Sequence, residues 1–230
     1  MLRPSRFAEV AKIQYGQWAR YQSDEHNKAG LFDWEEQAIA KWFPASGPLL
    51  LGACGGGREL LALAGKSYQM TGFECQPSLV SYAQSLLSRE GVEAEILLTD
   101  PDEVPRFDRS FQAAILGWGA YIHIIGRDRR IRILRKMADQ LEPDAPILIS
   151  FFVRHEASKR IKWIYWVAKA VSLLTFNRRK VELGDTLEGT FDHYFTEEEV
   201  RDELSAAGLS VVHYAAKPFG HAVGIKQQGR

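Results

Sequence analysis

Six small residues in succession, Gly52, Ala53, Cys54, Gly55, Gly56 and Gly57, followed by two carboxylates, Glu74 and Asp100, are where this sequence offers chemistry. A backbone stripped of side chains lets a ligand lie against the main chain and against the exposed N–H groups of a following helix. A carboxylate at the tip of a strand can hold both hydroxyls of a ribose. A second such place is Gly117-Trp118-Gly119-Ala120-Tyr121-Ile122-His123, which follows the apolar run Phe111 to Leu116. Glycines on both sides of Trp118 suggest a backbone that a ligand approaches closely. The carboxyl end of a central strand is where open α/β sheets place reacting groups.

The elements around the first stretch must present those residues together. Leu49 to Leu51 suits a strand buried on both faces, Arg58 to Ala64 a helix ended by Gly65, and Tyr68 to Phe73 a second strand that finishes on Glu74. Strand, small-residue turn, helix, strand and acid make a nucleotide-binding βαβ unit. The spacing bears on the ligand. A dinucleotide fingerprint counted from Gly55 and Gly57 would place its third glycine at Leu60, which weakens that reading. No Lys-Ser or Lys-Thr pair follows the glycines, which excludes a P-loop.

The stretch Leu49 to Arg58 resembles the first motif of class I S-adenosylmethionine-dependent methyltransferases, hydrophobic-Asp-x-Gly-x-Gly-x-Gly. Cys54, Gly55, Gly57 and Arg58 fit it directly, while Leu51 stands at the usual Asp and Ala53 at the first Gly. LEPDAPILISF, from Leu141, resembles the family's turn into its fifth strand. HYFTEEEVRDELSAAGLSVV, from His193, resembles its entry to the late helix and sixth strand. The likeness runs from Pro48 to Lys226. It implies a Rossmann-like α/β fold: a mostly parallel seven-stranded sheet, helices on both faces and an antiparallel last strand. It implies S-adenosyl-L-methionine bound by Ala53, Cys54, Gly55, Gly57, Glu74, Cys75, Asp100, Pro101, Gly117 and Trp118, with Glu74 on the ribose and Asp100 near the adenine amino group. Where the acceptor atom carries a proton, a base must take it, and His123 and His193 are the candidates by topology. A soft acceptor, sulfur or carbon, needs none. The family's nucleobase enzymes show an Asn/Asp-Pro-Pro-aromatic motif after the fourth strand and its catechol-type enzymes an acid; Gly117 and its neighbours show neither. No metal is expected.

The rest of the chain reads as follows. Phe7 to Tyr21 is helical, with Tyr15, Trp18 and Tyr21 on one face, able to close over the cofactor or simply to pack on the sheet. Ser23 to Gly30 is a polar loop. Asp33 starts a helix with Glu36 as its capping-box partner. Leu79 to Arg89 is a helix and Glu95 to Thr99 a third strand. Gly126 to Leu141 is a helix with Ile131, Leu134, Ala138 and Leu141 inward and its arginines solvated. Ile147 to Val153 is the fifth strand, Leu183 to Tyr194 is irregular, and Thr196 with Glu199 caps a helix ending at Gly208. Leu209 to Tyr214 and Ala222 to Ile225 are the last strands. These make one domain: a helical lid over residues 1–45, a cofactor-binding core over 46–153, a substrate-side insertion over 154–195, and a final helix and strands over 196–230.

Composition sets outer bounds. The 230 residues carry 29 Lys plus Arg against 29 Asp plus Glu, so charge gives no general pull toward nucleic acid. Two cysteines, Cys54 and Cys75, match no zinc spacing and point to a reducing, cytoplasmic setting. MLRPSRFAEVAK has no long apolar core and reads as no signal peptide. Residues 155–179 are aromatic, apolar and basic at both ends. Three readings stay open for them: a helix packed on the domain, a wall of an apolar pocket, or a helix lying on a membrane surface. A homodimer through the same surface is a further alternative. The expected function is methyl transfer to a small apolar or amphipathic molecule. The rivals are a non-catalytic S-adenosylmethionine-binding partner or regulatory protein, and an NAD-dependent oxidoreductase.

Overall fold

The computed structural model describes residues 19–154, 163, 165–167, 169, 181–188 and 190–227. After a 3-10 turn at Ala19–Gln22 come α1 (Asp24–Asn27), α2 (Asp33–Trp42), β1 (Gly47–Gly52), α3 (Arg58–Ala64), β2 (Tyr68–Glu74), α4 (Pro77–Arg89), β3 (Ala94–Leu98) and β4 (Ala113–Leu116). Next are α5 (Ala120–His123), α6 (Arg127–Ala138), β5 (Pro146–Val153), β6 (Asp185–Glu188), β7 (Thr190–Phe195), α7 (Glu197–Ala206), β8 (Leu209–Ala215) and β9 (Gly220–Lys226).

Strands β3, β2, β1, β4 and β5 lie side by side and parallel. At β5 the sheet branches. Pro146 to Phe151 pairs antiparallel with β9, which pairs antiparallel with β8. Phe152 and Val153 instead pair parallel with Tyr194 and Phe195 of β7, and β7 forms a hairpin with β6. The antiparallel last strand is therefore present as expected, but among the described residues the sheet has nine strands, not seven. The two additional ones lie in the stretch read as irregular. Along β7, Phe191, His193 and Phe195 are buried while Asp192 and Tyr194 are less so, the period-2 alternation of a strand. A histidine at the central inward position hid that period.

β1 organises the core because its three leucines are fully buried and feed both faces. Leu50 joins the cluster of Ile131, Leu134, Val200 and Leu204 from α6 and α7. Leu49 and Leu51 join Trp34, Ile39, Leu60 and Leu87 from α2, α3 and α4. Helices thus cover both faces, as a strand hydrophobic throughout requires.

Three local expectations change. Ser23 to Gly30 contains the short helix α1, with the Ser23 side chain accepting from the His26 N–H. At α2 the carboxylate that returns to the cap is Glu35, which accepts the Phe32 N–H at 2.8 Å, not Glu36. Helix α6 does not solvate all its arginines: Arg130 is 1% exposed. Its Nε and Nη2 bond Glu203 at 2.9 and 2.7 Å, and Nη2 also bonds Glu182 at 2.6 Å. Tyr121 donates to the same Glu203 carboxylate, and burial, reinforced by that negative charge, holds the phenol well above its ordinary range.

Of residues 155–179, positions 163, 165–167 and 169 are described and helical. Trp163 and Trp166 are 67% and 62% exposed, and Lys169 Nζ lies 4.9 Å from the Trp166 ring centroid. Phe176 and the flanking basic residues lie outside the described residues, as do Tyr15 and Trp18. Among the described residues, no helix is long and apolar enough to cross a membrane.

Without Glu203, Arg130 keeps only Glu182, whose side chain is 22% exposed, so much of its buried charge goes uncompensated. Glu203→Leu should therefore lower unfolding stability by about 3–5 kcal/mol, and adding Arg130→Met should recover most of it. Removing the exposed Arg127–Asp202 pair should cost under about 1 kcal/mol. Urea denaturation of the four proteins checks both expectations.

Candidate active site

The glycine turn leaves β1 at Gly52 and enters α3 at Arg58. Cys54 N–H donates to the Phe73 carbonyl at 3.1 Å and Gly57 N–H to the Cys54 carbonyl at 3.0 Å, which folds the turn back over β2. Gly55 has φ of 55°, and a Cβ there would meet nothing within 4 Å, so its outer side is open cleft. Gly56 has no such room: a Cβ would lie 2.2 Å from the Tyr21 carbonyl oxygen and 2.7 Å from Asn27. The N-terminal segment rests directly on the turn through that glycine. Ala53, where the motif has Gly, keeps the turn's conformation with φ of 51°, a left-handed strain of about 1–2 kcal/mol for a residue with a Cβ.

Glu74 ends β2 with its carboxylate 5% exposed and fixed by main-chain donors. Oε2 accepts the Gly55 N–H at 3.0 Å, and Oε1 accepts those of Cys75 and Gln76 at 2.7 and 3.0 Å. A carboxylate offers about four acceptor sites and three are taken, so about one remains for a ligand hydroxyl. The Thr99 N–H donates to the Glu74 carbonyl at 2.9 Å, holding the tip of β3 and Asp100 beside it.

These tips border a cleft that encloses about 220 Å³. Ala53, Gly55, Glu74, Cys75, Asp100, Pro101 and Trp118 line it, as do Tyr21 and His123. Phe73, Leu79, Leu116, Ile124 and Ile133 supply apolar wall. Cys54, Gly57 and Gly117 are not among the lining residues. Cys54 is buried beneath the turn near Gly72, Gly57 packs on Ala83, and Gly117 sits against the Ala53 carbonyl. Burial, with Glu74 adding to it, pushes the Cys75 thiol up to about 12, and burial pushes that of Cys54 up as well. Both remain thiols near neutral pH.

The structure separates the two histidines. His123 closes α5 at the cleft, with Nδ1 3.0 Å from the Phe191 carbonyl oxygen and 3.0 Å from Asp192 Oδ1. His193 is 1% exposed and outside the cleft lining. Its Nδ1 lies 2.8 Å from Asp185 Oδ1, and its ring meets Phe195 edge-on. Alternation along β7 causes the separation, since Asp192 and His193 point to opposite sides. Glu182, Asp185 and His193 together could hold a metal ion by spacing. Glu182, however, is taken up by Arg130 and by the Arg127 N–H, and Asp185 accepts the Glu182 N–H.

Sequence reasoning missed Asp192 and a second group behind the glycine turn. Arg58 is 3% exposed. It grips Glu35 through two hydrogen bonds of 2.8 and 2.7 Å, the Gly30 carbonyl at 2.8 Å and Glu59 at 2.8 Å. Glu59 Oε1 also accepts the Trp118 N–H at 3.0 Å. Burial outweighs the Arg58 hydrogen bonds and pushes the Glu35 carboxyl up. An acid at the third position of α2 was the available signal; its partner 23 residues away was not.

Residues 50–144 match the family model described as a methyltransferase domain. No curated protein matches the chain in sequence. Among solved structures, an S-adenosylmethionine-dependent methyltransferase from Methanosarcina mazei superposes with a TM-score of 0.68 at 19% identity, over 87% of this chain and 100% of that one. CalS10, an amino pentose methyltransferase from Micromonospora echinaspora solved with S-adenosylmethionine bound, gives 0.61 at 15% identity, over 94% and 97%. SpnF, described as a [4+2]-cyclase, gives 0.59 at 16% identity, over 86% and 81%. In all, 1035 solved chains match, so the fold by itself selects no acceptor. Residues 50–144 thus resemble a methyltransferase domain, and the chain shares its fold with solved S-adenosylmethionine-dependent methyltransferases.

Proposed function

We propose that the protein transfers a methyl group from S-adenosylmethionine to a small apolar or amphipathic molecule. The observation that carries this reading is Glu74, a buried carboxylate at a strand tip, aimed by three main-chain N–H groups at a cleft whose floor is the glycine turn. The residues present fit the cofactor. Glu74 would take the ribose, Asp100, Pro101 and Cys75 the adenine side, and Ala53 and Gly55 the close approach of the backbone. Gly57 and Cys54 support the turn from below, and Gly117 and Trp118 bound its far end. When bound, the cofactor supplies a methyl already activated by sulfonium charge for in-line displacement. The chain's own part is to position the acceptor and exclude water. Tyr21, seated on Gly56, is placed to cover the cleft as part of an N-terminal lid.

His123 is the proton acceptor in this reading. A proton on Nδ1, shared with the Phe191 carbonyl and Asp192, assigns the acceptor role in the neutral ring to Nε2. Asp192 then acts as a positioning residue that fixes ring and tautomer. His193, buried against Asp185, anchors the β6–β7 hairpin that carries Asp192. A second reading, cofactor binding without transfer, draws support from Leu51 and Ala53 at the two altered motif positions, the first fully buried and the second strained.

Residues 155–179 form the acceptor side in this proposal, with exposed Trp163 and Trp166 available to an amphipathic molecule or to the surface that carries it. A homodimer through the same residues is the competing use.

Glu74→Ala should weaken binding of S-adenosylhomocysteine about a hundredfold, because charged hydrogen bonds of about 2–3 kcal/mol are lost. Calorimetry showing unchanged affinity would remove the cofactor assignment. Once a screen with methyl-labelled cofactor and metabolite extracts supplies an acceptor, His123→Asn should lower kcat about 10²–10⁴-fold with cofactor affinity intact. Asp192→Asn should lower kcat less and displace the pH profile; a profile identical to wild type would leave Asp192 with no positioning role. Trp163→Ser with Trp166→Ser should reduce either anionic liposome binding or self-association in sedimentation. A wild-type monomer that ignores liposomes, paired with unaltered transfer in the double variant, makes the segment purely structural.

A further inference from the structure

The connection from β3 to β4 carries no helix. It runs as loop from Thr99 to Gln112. Most connections in compact domains are shorter, and loops of that length commonly serve a ligand site. Its parts are held with different firmness. At the base, Gln140, just after α6, accepts the Phe107 N–H at 2.8 Å and donates to the Pro105 carbonyl at 3.0 Å. Val104 and Phe111 are buried in the core. At the tip, the side-chain contacts to α6 are ionic. Arg129 Nη1 lies 3.0 Å from Asp102 Oδ2, and Lys136 pairs with Glu103. Arg129 and Lys136 stand about two turns apart and so share one face of α6. The four side chains are between 30% and 52% exposed. Asp102 also has φ of 63°, a left-handed conformation that costs a residue with a Cβ free energy and that Asp tolerates better than most.

The tip belongs to the cleft. Pro101, Asp102 and Glu103 line it from the loop, and Arg129 and Ile133 line it from α6. The Arg129–Asp102 pair therefore joins two walls of the cleft, at the end where Asp100 stands. Partly exposed ion pairs are weak and are screened by salt. That weakness suits a contact that must break and re-form in every catalytic cycle, since the opening of such segments sets the rate of ligand exchange in many enzymes.

We propose that Pro101 to Glu103 is a strap over the adenine end of the cleft, latched by the Arg129–Asp102 ion pair, and that opening this latch admits the cofactor and releases its demethylated product. The proposal rests on the cofactor reading of the cleft. Arg129 and Asp102 act through the strap and are positioning residues. Gln140 and Val104 hold the base of the loop while the tip moves.

The test reads exchange rates. Stopped-flow tryptophan fluorescence, with Trp118 in the cleft lining as a reporter, gives the association and dissociation rates of S-adenosylhomocysteine. Entry and exit both require an open latch. Asp102→Asn and Arg129→Met should therefore each raise both rates about 2–5-fold and change Kd by less than about twofold. The double variant should be no faster than either single variant, because both changes remove the same contact. Raising NaCl from about 0.05 to 0.5 M should speed exchange in the wild type and leave the variants' rates as they are. Variant rates equal to those of wild type overturn the proposal. A rise in dissociation alone does so too, because it would make the pair an ordinary ligand contact, and so does a double variant in which the two effects multiply. Wild-type exchange that ignores salt overturns the proposal even if the variants do not fold. A wild type that binds no S-adenosylhomocysteine overturns the cofactor reading itself, a result distinct from the others.

Discussion

The buried guanidinium of Arg58 is the interaction on which the arrangement around the cleft depends. It stands at the first position of α3, directly after the glycine turn, with its Cζ 4.5 Å from the Phe32 ring centroid. From there it fixes α2 through Glu35, the preceding loop through the Gly30 carbonyl, and the segment after β4 through Glu59 and the Trp118 N–H. Phe32 and Trp118 close the same contact edge-on, with centroids 5.2 Å apart. Residues 30–35 and Trp118, far apart in sequence, are thereby held at the tip of β1. A lysine could not do this, because only a planar fork makes two parallel bonds to one carboxylate while reaching further acceptors.

Arg130 plays the corresponding part on the other side of β4. Its guanidinium joins α6 to α7 through Glu203 and to the chain entering β6 through Glu182. The β6–β7 hairpin it helps to hold brings Asp192 to His123. One buried arginine therefore organises the glycine-turn end of the cleft, and another the end where His123 stands. Neither is expected to add much net stability over a well-packed apolar pair; what such pairs contribute is a fixed geometry that fails when one partner is removed.

Between these clamps the cleft combines rigid and strained parts. Glu74 is immobilised by backbone donors on both sides. Ala53 holds a left-handed conformation that glycine would adopt at no cost. Backbone strain retained at a site, with the surroundings enforcing it, is a feature of ligand-binding turns. Gly56 shows the opposite need: its missing side chain makes room for the Tyr21 carbonyl and Asn27, so the turn serves the N-terminal segment as well as the cleft.

Much of this was legible in the residues themselves. The apolar run Leu49 to Leu51, the small-residue turn, the helix stopped at Gly65 and the acid ending the next strand are local signals, and local backbone preferences decide them. The capping box of Thr196 with Glu199 is local in the same way and is present as read. What the sequence did not disclose depends on pairing across distance. Arginines on a polar helix face look alike until one meets a carboxylate 73 residues away. Two adjacent residues, Asp192 and His193, differ in role only because a strand sends them to opposite sides. His123 and His193 were equal candidates by position along the chain, and tertiary structure put one at the cleft and the other in the core. Sequence alone determined the fold class and the small-residue turn, because both follow from periodicity and from where side chains are missing. The tertiary structure decided which charges are buried and what they face, because burial and partnership belong to the packed chain and not to any stretch of it.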